Sequence, residues 1–120
     1  MVVNSDDELT LITGSPGGNS IPAYVAKTLI GIVDWGLTAQ DAADAPNLIA
    51  RGERVRVEVG EPGGQEIADA LIAKGYNVRE REGENSGLHL IRITEGGLDG
   101  AADKRREGVV RSLPVTINGG

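Results

Sequence analysis

The chain has 120 residues, enough for one modest domain, and its 18 acidic residues against 12 Lys and Arg give a formal net charge of −6. This balance argues against general nucleic-acid binding and against docking on anionic lipid, since both need a cationic face, and no apolar run approaches the length that spans a bilayer. With no cysteine and a single histidine, the sequence also excludes disulfides, a thiolate nucleophile and cysteine or multi-histidine metal centres, so we expect neither a metal nor another cofactor.

The chain begins with a predicted strand and a long helix. Residues 9–13 are rich in β-branched side chains and predict a short strand. After a glycine-rich break over residues 14–18, Asn19 or Ser20 can cap a helix that ends near Gly36. Its apolar residues recur at helical spacing and predict one buried stripe, made of Ile21, Val25, Leu29, Ile32 and Val33.

A second helix and a half-buried strand follow. Thr38 and Asp41 resemble a capping pattern, which predicts a short helix over residues 39–45 that Pro46 ends. Residues 54–59 alternate between valine and charged side chains, which is typical of a strand with one buried face. The valines are expected inward, and the outward residues are Arg54, Arg56 and Glu58.

The remaining elements are a third helix and two strands. The turn at residues 62–64 leads into a helix that Gly75 ends. Residues 76–82 and 88–93 read as strands, and the glycine-flanked segment 83–87 between them predicts a hairpin turn. If these two strands pair, Arg79, Arg81 and Arg92 would lie near one another on the outward face of the sheet.

The whole pattern predicts a mixed α/β layered domain with the element order β-α-α-β-α-β-β. Residues 96–108 are expected to form a loop, and residues 109–117 a last strand or a frayed tail. No linker or repeat divides the sequence, so residues 1–120 are interpreted as a single domain.

The strongest local feature is the glycine loop, Gly14-Ser15-Pro16-Gly17-Gly18, between the first strand and helix. Adjacent glycines allow positive φ and can point successive amides one way, and the following helix adds free N–H groups and its positive dipole end. The loop therefore suits an anion, either a bound carboxylate or phosphate or a transient oxyanion. A tight turn that happens to contain glycines explains the same residues.

Three other candidate features have simpler structural explanations. The segment Pro62-Gly63-Gly64 has a similar shape but only needs to turn a strand into a helix. His89 is expected on the less buried side of its strand, where a histidine is more often a surface residue than a base. Asp41 and Asp44 can share a helix face, and solvent exposure explains them.

The segment from Gly97 to Gly108 combines three glycines with small and charged residues. Its carboxylates, Asp99 and Asp103, can accept hydrogen bonds from loop amides or pair with Arg105 and Arg106. The segment is therefore either a buttressed surface loop or a brace against another part of a larger enzyme.

Three motifs occur in order along the chain. They are the glycine loop, then Asp44-Ala45-Pro46-Asn47 with Ala50-Arg51-Gly52, then Gly100-Ala101-Ala102-Asp103-Lys104-Arg105-Arg106-Glu107-Gly108. In this order and spacing they resemble the C-terminal part of the small subunit of γ-glutamyltransferases (glutathione hydrolases). The resemblance extends over about residues 9–110.

The resemblance implies part of the αββα sandwich of an N-terminal-nucleophile hydrolase. In that family a precursor cleaves itself, the newly exposed N-terminal Thr attacks a γ-glutamyl amide, and the acyl-enzyme is released to water or to an amino acid or peptide. By resemblance, the backbone N–H groups of Gly17 and Gly18 would stabilise the tetrahedral oxyanion. Ser15 and Pro16 would contribute to substrate binding from the same loop.

Several parts of that enzyme are expected upstream of residue 1: the nucleophilic Thr, the paired serines for the γ-glutamyl group, and the large subunit. Met1, or Val2 after methionine removal, carries no hydroxyl or thiol, and every threonine is internal. We therefore expect this chain to be inactive alone and to partner with the missing segment. γ-Glutamyl small molecules are the implied substrates of the whole enzyme, and the family habit implies a periplasmic or secreted location.

The chain departs from the family pattern at two places, which leaves its acceptor preference open. An aromatic–His stretch often follows Ala-Pro, whereas Asn47-Leu48-Ile49-Ala50 stands here, and Lys104 replaces a common proline. Two alternative functions remain: a small-anion binding module that reuses the glycine loop, and an interaction module whose open sheet edge pairs with another chain. Exposed edges and faces of such a piece predict a homo-oligomer.

Overall fold

The computed structural model describes residues 1–111. This part of the chain forms seven strands, three helices and a short 3-10 turn over Gly18–Ser20. The strands are β1 (Val2–Val3), β2 (Leu9–Gly14), β3 (Leu48–Arg51), β4 (Arg54–Glu58), β5 (Asn77–Arg81), β6 (His89–Thr94) and β7 (Gly97–Ala102). The helices are α1 (Ile21–Val33), α2 (Ala39–Asp44) and α3 (Gly64–Ala73).

The strands form two separate sheets. The four-stranded sheet has the order β1-β2-β6-β7, and all its neighbours are antiparallel. The three-stranded sheet has the order β3-β4-β5, in which β3 is antiparallel and β5 parallel to β4. Helix α3 supplies the crossover that a parallel pair needs.

Each sheet buries one face against helices. On the four-stranded sheet, Leu11, Leu90 and Ala101 come from three neighbouring strands and pack with Tyr24 of α1 and Ala43 of α2. The three-stranded sheet has a smaller core with α3, made of Val55, Val57 and Ala68. The predicted mixed α/β layering is therefore confirmed.

The prediction of a hairpin at residues 83–87 is wrong, because β5 and β6 belong to different sheets. The segment instead connects the two sheets. Arg79 and Arg81 consequently do not lie beside Arg92, whose Nε donates to Oδ2 of Asp99 on β7 at 3.1 Å. The antiparallel pairs formed by consecutive strands are β1–β2, β3–β4 and β6–β7.

The predicted element order lacks β1, β3 and β7, and the predicted loop over residues 96–108 is wrong over its first half. The sequence of β7, Gly97-Leu98-Asp99-Gly100-Ala101-Ala102, has low β propensity. It nevertheless pairs with β6 in continuous register, from Thr94↔Gly97 to His89↔Ala102. Pairing with a long neighbouring strand overrides the weak local preference.

The face that helix α1 turns to the core overlaps the predicted stripe only in part, since Leu29 and Ile32 pack against the core but are not fully buried. The residues it buries are Tyr24, Thr28 and Gly31, whereas Val33 is 66% exposed. Gly31 lets α2 approach closely, since a Cβ there would lie 3.3 Å from Cβ of Ala42. The close contact with α2 and the hydrogen bond between Thr28 of α1 and Thr13 of β2 therefore decide which face of α1 is buried. Of the predicted last segment, residues 109–111 are irregular and the rest lies outside the described residues.

Candidate functional site

The glycine loop runs from the end of β2 to the 3-10 turn before α1. Gly17 has φ +136° and Gly18 has φ +59°, values that side-chain-bearing residues rarely adopt. A Cβ on Gly17 would also lie 2.7 Å from the ring of Tyr24, whereas Gly18 faces open space. Backbone geometry thus favours glycine at both positions, and the contact with Tyr24 leaves no room for a side chain at Gly17.

The backbone amides of Gly17 and Gly18 lie between β2 and α1, and they take no part in the hydrogen bonds of either element. Within residues 1–111, neither the N–H of Gly17 nor that of Gly18 donates a backbone hydrogen bond. The carbonyl of Gly17 accepts the amide of Ser20 at 3.2 Å, which closes the turn. Both glycines therefore precede α1 without a backbone acceptor for their N–H groups, and an anion-binding role for these groups stays a prediction.

Ser15 and Pro16 attach the loop to the segment before β6. Oγ of Ser15 donates to the carbonyl of Pro16 at 2.7 Å and accepts the amide of Gly87 at 3.0 Å. A Cβ on Gly87 would lie 3.0 Å from the ring of Pro16, so the two chains touch. These contacts position the loop, and a role of either residue in substrate binding stays a prediction.

The first turn of α1 is tied to the three-stranded sheet through Glu84. Oη of Tyr24 donates to Oε1 of Glu84 at 3.0 Å, and Arg56 donates to both carboxylate oxygens, Nε at 2.5 Å and Nη2 at 2.9 Å. Arg56 also donates to Oγ of Ser20 at 3.2 Å. The hydrogen bonds that Arg56 donates to Glu84 raise the pKa of Arg56, while burial and the same carboxylate raise the pKa of Tyr24. The ring that packs on Gly17 is therefore fixed in place.

A buried ion pair joins β4 to the segment after β7. The Glu58 side chain is fully buried and accepts Nε and Nη2 of Arg105 at 2.8 and 2.5 Å. The amides of Asn47 and Glu84 donate to the same carboxylate at 3.0 and 2.6 Å. Burial acts to raise the pKa of Glu58, but these donors outweigh it and hold the pKa below its ordinary value.

Asp103 binds the other side of Arg105. Its Oδ1 accepts the amide and Nη1 of Arg105, both at 3.0 Å, and its Oδ2 accepts Oγ of Ser86 at 2.5 Å and the amide of Leu88 at 3.2 Å. Burial opposes ionisation, yet these bonds lower the pKa of Asp103 and raise that of Arg105. The pairing of Asp103 with Arg105 confirms one of the two predicted arrangements of this segment.

Arg105 also explains why two of the sequence motifs occur together. It donates to the carbonyls of Ala43, Asp44 and Ala45 at the end of α2, at 2.9, 3.3 and 3.1 Å. Lys27 of α1 donates to two of the same carbonyls, those of Ala43 and Ala45, at 2.9 and 2.8 Å. Burial, with the nearby Arg105, lowers the pKa of Lys27 to about 8. The segment after β7 is thus a brace within this chain.

Sequence reasoning misplaced Glu58, which strict alternation put on the solvent side of β4. It is fully buried, because the segment carrying Arg105 folds over this face. Asp99 pairs with Arg92 and accepts the amide of Ala39 instead of bonding its own loop. Arg106 donates to the carbonyl of Asn85. The sequence carries no local signal for the burial of Glu58, since Arg105 lies 47 positions later.

The weaker candidates behave as their structural explanations predicted. His89 is exposed, and its Nδ1 lies 3.0 Å from the carbonyl of Gly87. Asp41 is exposed on α2, and Asp44 accepts Nε2 of Gln40. Gly63 has φ +87° at the N-cap of α3, so that segment serves as a strand-to-helix turn.

Within residues 1–111, no cluster of three or more His, Cys, Asp or Glu side chains is arranged to hold a metal ion. No helix of that part is long and apolar enough to cross a bilayer.

The sequence matches a family model described as gamma-glutamyltranspeptidase over residues 1–113. The chain belongs to this family. It is 29% identical to the Acylase ACY 1 proenzyme of Pseudomonas sp. (strain V22), over all of this chain and 21% of that protein. It is 32% identical to the Glutathione hydrolase proenzyme of Escherichia coli (strain K12), over 87% of this chain and 18% of that protein. The chain thus spans about a fifth of the length of these two relatives.

A solved member of the family has the same fold. The structure of gamma-glutamyltranspeptidase from Pseudomonas nitroreducens complexed with L-DON superposes with a TM-score of 0.78. The match covers 95% of this chain and 61% of that chain at 24% identity. The predicted relationship to γ-glutamyltransferases and their N-terminal-nucleophile hydrolase fold is therefore confirmed.

Proposed function

We propose that this chain is the C-terminal part of the small subunit of an enzyme that hydrolyses or transfers γ-glutamyl amides of the glutathione class. Family membership and a relative named glutathione hydrolase support the reaction class. A chain that spans about a fifth of such relatives supports its being one portion of a larger enzyme.

The proposed contribution of this chain is the oxyanion hole. The observation that carries it is the pair of adjacent glycine amides at Gly17 and Gly18, both at positive φ and both without a backbone acceptor within residues 1–111. Preorganised N–H donors stabilise the charge that develops on a carbonyl oxygen during acyl transfer. The contacts of Ser15 with Gly87 and of Tyr24 with Gly17 hold those donors still before the substrate arrives.

The proposed nucleophile lies on polypeptide outside these 120 residues. The threonines of the described part are internal, and two of them, Thr13 and Thr28, bond each other at 2.9 Å inside the fold. None supplies a hydroxyl next to a free amine, which this type of catalysis requires. The chain alone is therefore inactive.

The proposed partner is that remaining polypeptide, and the four-stranded sheet offers it a surface. The face opposite α1 and α2 exposes Ile12 (40%), Ile91 (39%) and Leu98 (74%). Large apolar side chains in one such face are typical of an interaction surface. In an αββα sandwich this is the side on which a second sheet packs.

Hydrolysis of a chromogenic γ-glutamyl anilide tests the assignment. We expect no turnover by the chain alone and turnover when it is part of the complete enzyme. An aliphatic acyl anilide serves as the second substrate, because one relative is named an acylase. Preference for that substrate in the complete enzyme would overturn the γ-glutamyl assignment, and turnover by the chain alone would overturn the missing-nucleophile proposal.

Two variants at Gly18 in the complete enzyme test the oxyanion hole. An ester bond in place of the Gly18 amide removes the N–H and leaves the glycine free to keep its φ of +59°, whereas Gly18→Ala keeps the N–H at a φ that alanine reaches at a cost of roughly 1–2 kcal/mol. We expect kcat to fall by about 10²–10³ in the ester variant and far less in the alanine variant. Equal losses in both would show that the loop conformation matters and the amide does not.

A further inference from the structure

The face of the three-stranded sheet opposite α3 carries a concentration of arginines. Val55 and Val57 point to α3, so the alternate residues of β4 point away from it. The strand register places same-face residues of β3 and β5 beside them. The five arginines gathered there, called the arginine dish, are Arg51, Arg54, Arg56, Arg79 and Arg81.

The dish is concave and mostly unneutralised. With Ile49 at its base, it encloses about 450 Å³. Arg56 pairs with Glu84, but the other four guanidiniums are exposed and have no ion pair within residues 1–111. Glu80 also lines the dish, but its Oε1 accepts Nε2 of Gln65, and Glu58 of β4 binds Arg105.

Two pairs of dish arginines are direct cross-strand neighbours. Arg51 lies opposite Arg54, and Arg56 lies opposite Arg79. Like charges in this arrangement destabilise a sheet. In a chain with a net charge of −6, five of the twelve Lys and Arg nevertheless converge on this one face. A bound anion would offset the repulsion that the free protein retains.

We propose that the arginine dish binds a small anion with two or more phosphate groups. The cations are all arginines, whose planar forks suit oxyanions better than lysine does. Neighbouring strands are about 4.8 Å apart, and same-face residues along a strand about 6.6 Å, so adjacent guanidiniums can share one phosphate. A phosphate has three acceptor oxygens and up to two charges, whereas a carboxylate has two oxygens and one charge. Because the dish is open to solvent, salt screens its charges, and a phosphate with its higher charge binds there more strongly than a carboxylate.

This site is separate from the glycine loop and independent of the proposed amide chemistry. Arg56 is the dish arginine that connects the two sites. It donates hydrogen bonds to Glu84 and Ser20 and therefore also stabilises the fold. Variants are therefore made at Arg54 and Arg79, which have no bonds of that kind in the described part of the chain.

The test is calorimetric titration of inorganic tripolyphosphate into the protein as purified, with any associated polypeptide retained, in about 0.15 M NaCl. Monophosphate and citrate are the comparison ligands. We expect saturable binding of tripolyphosphate, weaker binding of the other two, and an affinity loss of about tenfold for Arg54→Gln or Arg79→Gln. Lys74→Gln, an exposed cation at the end of α3 outside the dish, is the control and should bind normally.

Thermal melting separates ligand binding from a structural role. Without anion, Arg79→Gln should melt at a higher temperature than the unchanged protein, because a repulsive pair is removed. With tripolyphosphate, the unchanged protein should gain more in melting temperature than the variant. Absence of saturable tripolyphosphate binding, equal binding of citrate, or an equal affinity loss in Lys74→Gln would overturn the proposal.

Discussion

A single buried arginine joins segments that are far apart in the sequence. Arg105 contacts Glu58 of β4, Asp103 of its own segment and the carbonyls at the end of α2. Its side chain is only 6% exposed, and Glu58 is fully buried. Removing one partner from such a pair strands an uncompensated charge in the interior.

Arg105→Leu should therefore lower the free energy of unfolding by about 3–5 kcal/mol, a large part of the stability of a domain this size. Chemical denaturation at neutral pH measures the loss. The matched control is Arg106→Leu, one residue later, which removes an exposed bond to the carbonyl of Asn85 and should cost less than about 1 kcal/mol. Similar losses in the two variants would contradict the assigned role of the pair.

For Lys27 we expect the opposite effect: its buried positive charge lowers the stability of the fold, whereas that of Arg105 raises it. It shares the carbonyls of Ala43 and Ala45 with Arg105, and its pKa is lowered to about 8 because burial and that cation disfavour its charge. Between pH 8 and its ordinary value of 10.5, the unfolded chain holds a proton that the folded chain has released. Raising the pH through this window therefore stabilises the fold, and lowering it again to about pH 8 removes that gain.

Lys27→Met should leave the stability at pH 7 unchanged or raise it by about 1–2 kcal/mol, because Arg105 still satisfies both carbonyls. It should also remove the rise in stability between pH 8 and 10, which for one group is at most about 1.4 kcal/mol per pH unit. Denaturant titrations of the two proteins at several pH values measure both effects. A clear loss of stability at pH 7 would show that the ammonium group is a net stabiliser.

At the scale of elements, the first residue of α3 lies in close contact with the backbone of β4. A Cβ on Gly64 would lie 2.0 Å from the carbonyl oxygen of Glu58 and 2.9 Å from Cα of Val59. Both are backbone atoms that cannot rotate away. The start of α3 and the end of β4 can therefore approach this closely only without a side chain.

Gly64→Ala should separate α3 from β4 and lower the free energy of unfolding by about 1–3 kcal/mol or more. Gly83→Ala is the control, because Gly83 has open space around its Cβ position and no positive φ. Thermal unfolding compares the two, and an unaffected Gly64→Ala would mean that the helix start moves without cost.

At the scale of the molecule, the two faces of the four-stranded sheet differ in what covers them. One face is packed by α1 and α2, whereas the other exposes Ile12, Ile91 and Leu98. We expect the chain by itself to cover this face by self-association. The rest of the enzyme, when it is added, should compete with this self-association for the same face.

Ile91→Lys should weaken self-association, because it places a charge in the centre of the open face. Ile72→Lys adds the same charge on α3, where Ile72 is already 52% exposed, and should leave association unchanged. Sedimentation velocity across a concentration series distinguishes the variants. A chain that stays monomeric at high concentration would refute the prediction of a homo-oligomer.

The sequence by itself determined the local features of this protein. The strand before the glycine loop, the Thr38 cap of α2 and the glycine turn before α3 were predictable, because each depends on residues within one or two turns of chain. The motifs at 14–18, 44–52 and 100–108 also identified the family, which the comparison over residues 1–113 confirmed. Local residue patterns were sufficient for the elements, and the family followed from the resemblance of the three motifs.

Only the tertiary structure decided which segments meet. The glycine-rich β7 is a strand because β6 pairs with it, and β5 and β6 are separate because they join different sheets. Glu58 is buried because Arg105, 47 positions later, folds onto it. Such features depend on long-range pairing, whose free energy comes from ladder bonds and paired charges that local propensity does not encode.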